Sequence, residues 1–77
     1  MNPTIVRILK ELKEETPEQT DRKTLSLTII KNSKISNMRG VNDFINLLVS
    51  IGALEPTPNK KVFTLNNEVI GGLIKEA

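Results

Sequence analysis

Gly52 marks the point at which the hydrophobic period of the chain changes. Before it, Met38, Val41, Phe44, Ile45 and Leu48 recur at three- and four-residue spacing, the inward stripe of an amphipathic helix. After it, Val62-Phe63-Thr64-Leu65 alternates as a half-buried strand does, Phe63 and Leu65 facing one way and Val62 and Thr64 the other. Ser36 suits the cap of the helix, which is predicted over 36–51. Gly52 is the residue type favoured just past a helix end. The outer face of that helix reads Arg39, Asn42, Asp43 and Asn46. Gly40, in its first turn, costs up to about 1 kcal/mol relative to Ala. Either something approaches the backbone closely there or the position is merely tolerated.

The remaining elements follow from caps, breakers and period. Asn2, Pro3 and the stripe Ile5, Ile8, Leu9 and Leu12 predict a first helix over 3–15, because Pro17 pushes Thr16 out of helical geometry. Lys10 and Glu14 lie four apart on its solvent side. Residues 16–23 are polar and read as a loop, the competing form being a short turn capped by Thr16. Residues 24–35 carry both periods. Leu25, Leu27 and Ile29 alternate like a strand, whereas Leu27, Ile30 and Ile35 suit a helix. The reading adopted is a short strand over 23–25 followed by a second helix over 26–32. A hairpin over 53–65 has Pro56-Thr57-Pro58-Asn59-Lys60 at its tip, and 67–76 is a C-terminal helix or tail interrupted by Gly71-Gly72. With 77 residues the chain is a single α+β domain, and one this small hides only about 60% of its unfolded surface.

Composition narrows the function. The chain has no Cys, His, Trp or Tyr and only two Phe. It therefore lacks a thiol nucleophile, a thiolate zinc site, a disulfide, the usual neutral-pH proton shuttle and an aromatic platform for single-stranded nucleic acid. A binding protein is expected rather than an enzyme, with no catalytic site, metal, cofactor or evident small-molecule ligand. No apolar run nears the roughly 18 residues that span a bilayer, and Arg7, Lys10 and Glu11 interrupt the first apolar segment, so a cytoplasmic protein without membrane contact is expected.

The net charge of +2 is unevenly divided. Residues 1–20 hold three bases against four acids, 21–54 hold five bases against two acids, and 55–77 are balanced. No acid occurs between Arg22 and Arg39, a span that includes Lys23, Lys31 and Lys34, nor between Pro56 and Asn67, which includes Lys60 and Lys61.

Helix, short strand, helix, turn, amphipathic helix and hairpin, in that order, resemble a winged helix-turn-helix domain. The stretch Val41 to Glu55 carries the resemblance, with its long helix ending in Leu-x-x-x-Gly-small-Leu before a first wing strand. Val62-Phe63-Thr64-Leu65 is similar to the second wing strand. Size and an Ile/Lys/Asn-rich composition resemble the very small transcriptional regulators of archaeal viruses and plasmids.

The resemblance implies a three-helix core with a two-stranded wing that binds double-stranded DNA as a transcriptional regulator, repressor rather than activator. It implies that the third helix enters the major groove, with Asn37, Arg39, Asn42, Asp43 and Asn46 toward the bases. Arg can bind guanine O6 and N7 bidentately and Asn can do the same to adenine N6 and N7, while Asp43 either accepts from cytosine or holds Arg39. Arg22, Lys23, Lys31, Lys34, Ser36, Gly40, Lys60 and Lys61 would meet phosphates. The wing departs from the family in being short, with two prolines and no Arg, so phosphate contact is expected of it rather than minor-groove reading. The alternative is a protein-interaction module without DNA binding. Val69, Ile70, Leu73 and Ile74 have two readings: they close the core over the first helix, or they pair two subunits into a homodimer.

Overall fold

In a computed structural model, which describes residues 3–76, the first helix, α1, occupies Pro3–Glu15 and buries Ile5, Val6, Ile8, Leu9 and Leu12. Asn2, expected as its cap, lies outside the described residues. At its end the backbone N–H and the Oγ1 hydroxyl of Thr16 both donate to the Leu12 carbonyl, at 2.8 and 3.0 Å. Pro17 then turns the chain away.

The segment expected to be a loop contains a strand. β1 spans Gln19–Asp21, pairs with a strand far along the chain and buries only Thr20. Helix α2 follows without a linker and runs Arg22–Asn32, because Asp21 caps it by accepting from the Thr24 N–H at 3.1 Å. The strand expected at 23–25 is thus the first turn of α2, and the second helix starts four residues before its expected position. Its inner face is Leu25, Ser26, Thr28 and Ile29. Ser26 and Thr28 tolerate burial because their hydroxyls donate back to the Arg22 and Thr24 carbonyls, at 2.7 and 2.9 Å. Leu27 and Ile30, read from sequence as helix stripe, face outward.

Helix α3 covers Met38–Ser50 and buries Val41, Ile45 and Leu48. Its cap is Asn37 rather than Ser36: Asn37 Oδ1 accepts from the Gly40 N–H at 2.7 Å. Met38, expected in the inward stripe, is 58% exposed. At the other end Gly52 adopts φ +84°. Its N–H donates to the Val49 carbonyl and that of Ala53 to the Leu48 carbonyl, both at 3.0 Å. This is the Schellman pairing, which needs a left-handed residue where Gly52 stands.

Strands β2 (Leu54–Pro56) and β3 (Val62–Leu65) form the hairpin. β3 lies in the middle of an antiparallel sheet of order β1-β3-β2, with Thr20 opposite Phe63 and Leu54 opposite Leu65. The last helix, α4 (Asn67–Glu76), forms in spite of Gly71-Gly72. Asn66 Oδ1 accepts from the Val69 N–H at 3.2 Å at its start, and the helix packs on α1. Ile70 is fully buried, with Val69, Leu73 and Ile74 half-buried against the same core. Ile70 is therefore a core residue, not a contact open to a second subunit. Among the described residues the architecture is α+β, four helices and a three-stranded antiparallel sheet. None of these helices is long and apolar enough to cross a membrane.

Candidate nucleic-acid interface

Arg22 joins three elements. Its backbone N–H donates to the Lys61 carbonyl at 2.7 Å, which ties the start of α2 to the hairpin. Its guanidinium carbon lies 5.2 Å from the centroid of the Phe63 ring, within cation–π range. Its Nη1 donates to Asn42 Oδ1 at 3.2 Å, which ties it to the outer face of α3. Arg22 and Lys61, singled out by acid-free runs, and Asn42, singled out by its place on the outer helix face, thus meet at one junction, Lys61 through its backbone carbonyl.

The rest of the α3 face is wet. Arg39, Asn42, Asp43 and Asn46 are all exposed, spaced along one side of the helix opposite Val41, Ile45 and Leu48. Among the described residues no ion pair joins Asp43 to Arg39, so the holding role expected of Asp43 is not observed. Asn37 is also exposed, but its side-chain oxygen is committed to the helix cap.

Gly40 has an internal explanation. A Cβ placed there would stand 2.7 Å from Ile35 Cγ2 and 3.4 Å from Asn37 Oδ1. The group that approaches the helix closely is the Ile35 side chain from the preceding turn, which fills the space a side chain would need.

The hairpin tip is built to hold its lysines outward. Thr57 Oγ1 donates to the Val62 carbonyl at 2.9 Å, Asn59 Oδ1 accepts from the Lys61 N–H at 3.0 Å, and the Asn59 carbonyl accepts from the Val62 N–H at 3.0 Å. Lys60 and Lys61 are exposed on this frame, as is Lys23 at the start of α2.

Other expected contacts fall elsewhere. Lys31 lies on the α1 side, where its Nζ is 2.7 Å from Glu11 Oε1. The Glu11 carboxylate also accepts from Asn32 Nδ2. The hydrogen bond with Lys31, then that with Asn32, holds the Glu11 carboxyl below its ordinary range, and the same bond raises the Lys31 ammonium. Lys31 is therefore paired at the surface with a carboxylate of α1 and does not share the junction around Arg22. Lys34 and Ser36 are exposed in the turn before α3.

Sequence reasoning missed one feature beside the interface. Leu27, Ile30 and Met38 surround a groove of about 460 Å³ together with Arg22, Lys23 and Lys61. Apolar residue type pointed to the core, and only the placement of Ser26 and Thr28 on the inner face reverses that. Among the described residues no cluster of three or more acidic side chains is arranged to hold a metal ion.

Compared with known protein families, curated proteins and solved structures, the chain matches none.

Proposed function

We propose that this domain is a winged helix that binds double-stranded DNA and acts as a transcriptional regulator, a repressor rather than an activator. The observation that carries this reading is the Arg22 junction, where the exposed Arg/Asn face of α3 and the lysine-bearing hairpin adjoin. In the mechanism α3 lies in the major groove. Arg39 donates to guanine, and Asn42 and Asn46 meet base edges. Lys23, Lys60 and Lys61 fix the register on phosphates. Because Asn42 Oδ1 already accepts from Arg22, its free Nδ2 serves as a donor to base acceptors. Asn42 and Asn46, on the exposed helix face, are poor helix formers there, which fits a role in contact rather than in helix stability.

Selecting bound duplexes from a random pool tests the reading. Arg39→Ala is expected to cost about 1–3 kcal/mol on the selected site and to relax the preference at one base pair. Lys60→Ala with Lys61→Ala is expected to weaken all duplexes alike and to flatten the salt slope by roughly two units. Failure to retain duplexes refutes DNA binding, and an unchanged preference in Arg39→Ala refutes base reading by α3.

A further inference from the structure

The apolar floor of the groove beside α2, Leu27, Ile30 and Met38, has no role in the mechanism above. Among the described residues four large hydrophobic side chains are exposed. Leu27 at 58%, Ile30 at 39% and Met38 at 58% line this one groove, with Leu47 elsewhere on α3. Its volume of about 460 Å³ is within the range of about 300–1,000 Å³ typical of ligand sites. Leaving three such side chains in water forgoes the stabilisation that burial provides, and converging apolar exposure with a polar rim marks an interaction surface.

The rim states the charge of the occupant. Arg22, Lys23 and Lys61 border the aliphatic floor. The acid among them, Asp21, is engaged with the Thr24 N–H at 3.1 Å, so its carboxylate is turned to the helix it caps. A nucleic acid would meet the cations but gain nothing from Leu27, Ile30 and Met38, and its phosphates would lose water against them. Among the described residues a second copy offers no exposed aliphatic cluster flanked by acids, its own cluster being bordered by the same cations. Its acidic run, Glu11 to Glu18, flanks aliphatic residues of α1 that are buried in the core, and the apolar side chains of α4 pack on that core as well.

We propose that the groove between α2 and the start of α3 docks an acidic, aliphatic-bearing segment of a different protein. Two or three aliphatic side chains of the segment lie on Leu27, Ile30 and Met38, and flanking carboxylates pair with Lys23 and Lys61. Because those lysines also serve as phosphate contacts in the DNA reading, the segment and duplex DNA exclude one another. That exclusion rests on the DNA reading, whereas the docking does not.

The test is selection of random 16-residue displayed peptides on the full chain, with counter-selection on the Leu27→Ser, Ile30→Ser double variant. Both residues are exposed, so the variant keeps the fold; Met38→Gln serves as a second, independent bait. Enriched peptides are expected to combine aliphatic residues with a surplus of Asp and Glu. A synthetic copy of one is expected to lose about tenfold in affinity on each bait variant, the loss that follows from removing about 1.4 kcal/mol of apolar contact. Lys23→Glu with Lys61→Glu is expected to weaken it by a similar factor. Absence of enrichment, a consensus without acids, or binding to both bait variants as tight as to the wild-type chain overturns the proposal. So does a wild-type dimer that becomes monomeric in Leu27→Ser, Ile30→Ser, since the occupant is then a second copy. Duplex binding is expected to survive that variant, and its loss would give the groove to DNA instead. A chain that captures acidic peptides but no duplex refutes the DNA reading alone.

Discussion

Helices α2 and α3 pack on each other and contribute to one core, yet they divide polar and apolar residues in opposite ways. α3 buries Val41, Ile45 and Leu48 and gives water Arg39, Asn42, Asp43 and Asn46. α2 buries Ser26 and Thr28 beside Leu25 and Ile29 and gives water Leu27 and Ile30. A helix chosen only to fold would divide apolar from polar residues as α3 does. The hydroxyls of α2 satisfy themselves on their own backbone, so its inner face loses little by being half polar. The apolar outer face therefore reports a demand from outside the core.

The largest expected effect tests whether the two helices are equal where they are buried. Ile29 and Leu48 are both fully buried. Ile29→Ala and Leu48→Ala should each cost about 2–5 kcal/mol in denaturant unfolding, whereas Leu27→Ala should cost far less. A large loss at Leu27 would mean that α2 is turned differently and that its outer face is core after all.

Gly40 sharpens the contrast at the start of α3. In a free helix Gly→Ala gains up to about 1 kcal/mol, but overpacking a filled site costs about 1–3 kcal/mol. With Ile35 Cγ2 at 2.7 Å from the new methyl, Gly40→Ala should show a net loss of about 1 kcal/mol. Combining it with Ile35→Ala should cost less than the two single changes added, a coupling readable in a double-mutant cycle.

The smallest effect separates the caps. α2 begins on Asp21 and α3 on Asn37. The hydrogen bonds from Thr24 hold the Asp21 carboxyl below its usual value. A depressed folded value means that this contribution is full above the unfolded value of about 3.9 and is lost as pH falls through the folded one. Asp21→Asn keeps an acceptor but cannot titrate, so it should flatten part of the loss of stability in acid while changing little at neutral pH. Glu11 titrates in the same direction, so Glu11→Gln should remove a further part. Acid unfolding curves of the two variants that overlay the wild type would show that neither carboxylate matters.

α3 and its stop could be read from residues because both signals are local. A clean helical stripe and one left-handed glycine need no partner to be recognised. β1 could not: Thr20 is its sole buried side chain, and the partner that makes it a strand, Phe63, stands far along the chain. The cap is Asn37 rather than Ser36: both residue types accept from a helix N–H, and the Gly40 N–H donates to Asn37 Oδ1. Of the candidate site, residue type and an acid-free run located Arg22, Asn42 and the hairpin lysines. Lys31 falls outside because its acid, Glu11, sits in another element, which a count along the chain treats as distant. The groove was hidden for the converse reason, as Leu27 and Ile30 look like core until Ser26 and Thr28 take the inner positions.

The sheet has a consequence for how this domain behaves in a crowd. Its outer strands, β1 and β2, are three residues each. β2 ends on Pro56, which has no N–H to offer, and β1 runs straight into a helix. Edges so short and interrupted do not template a strand from a neighbouring chain, the usual route to edge-to-edge aggregation. Backbone pairing at these two edges is thereby disfavoured, which leaves side-chain surfaces as the favoured route to association.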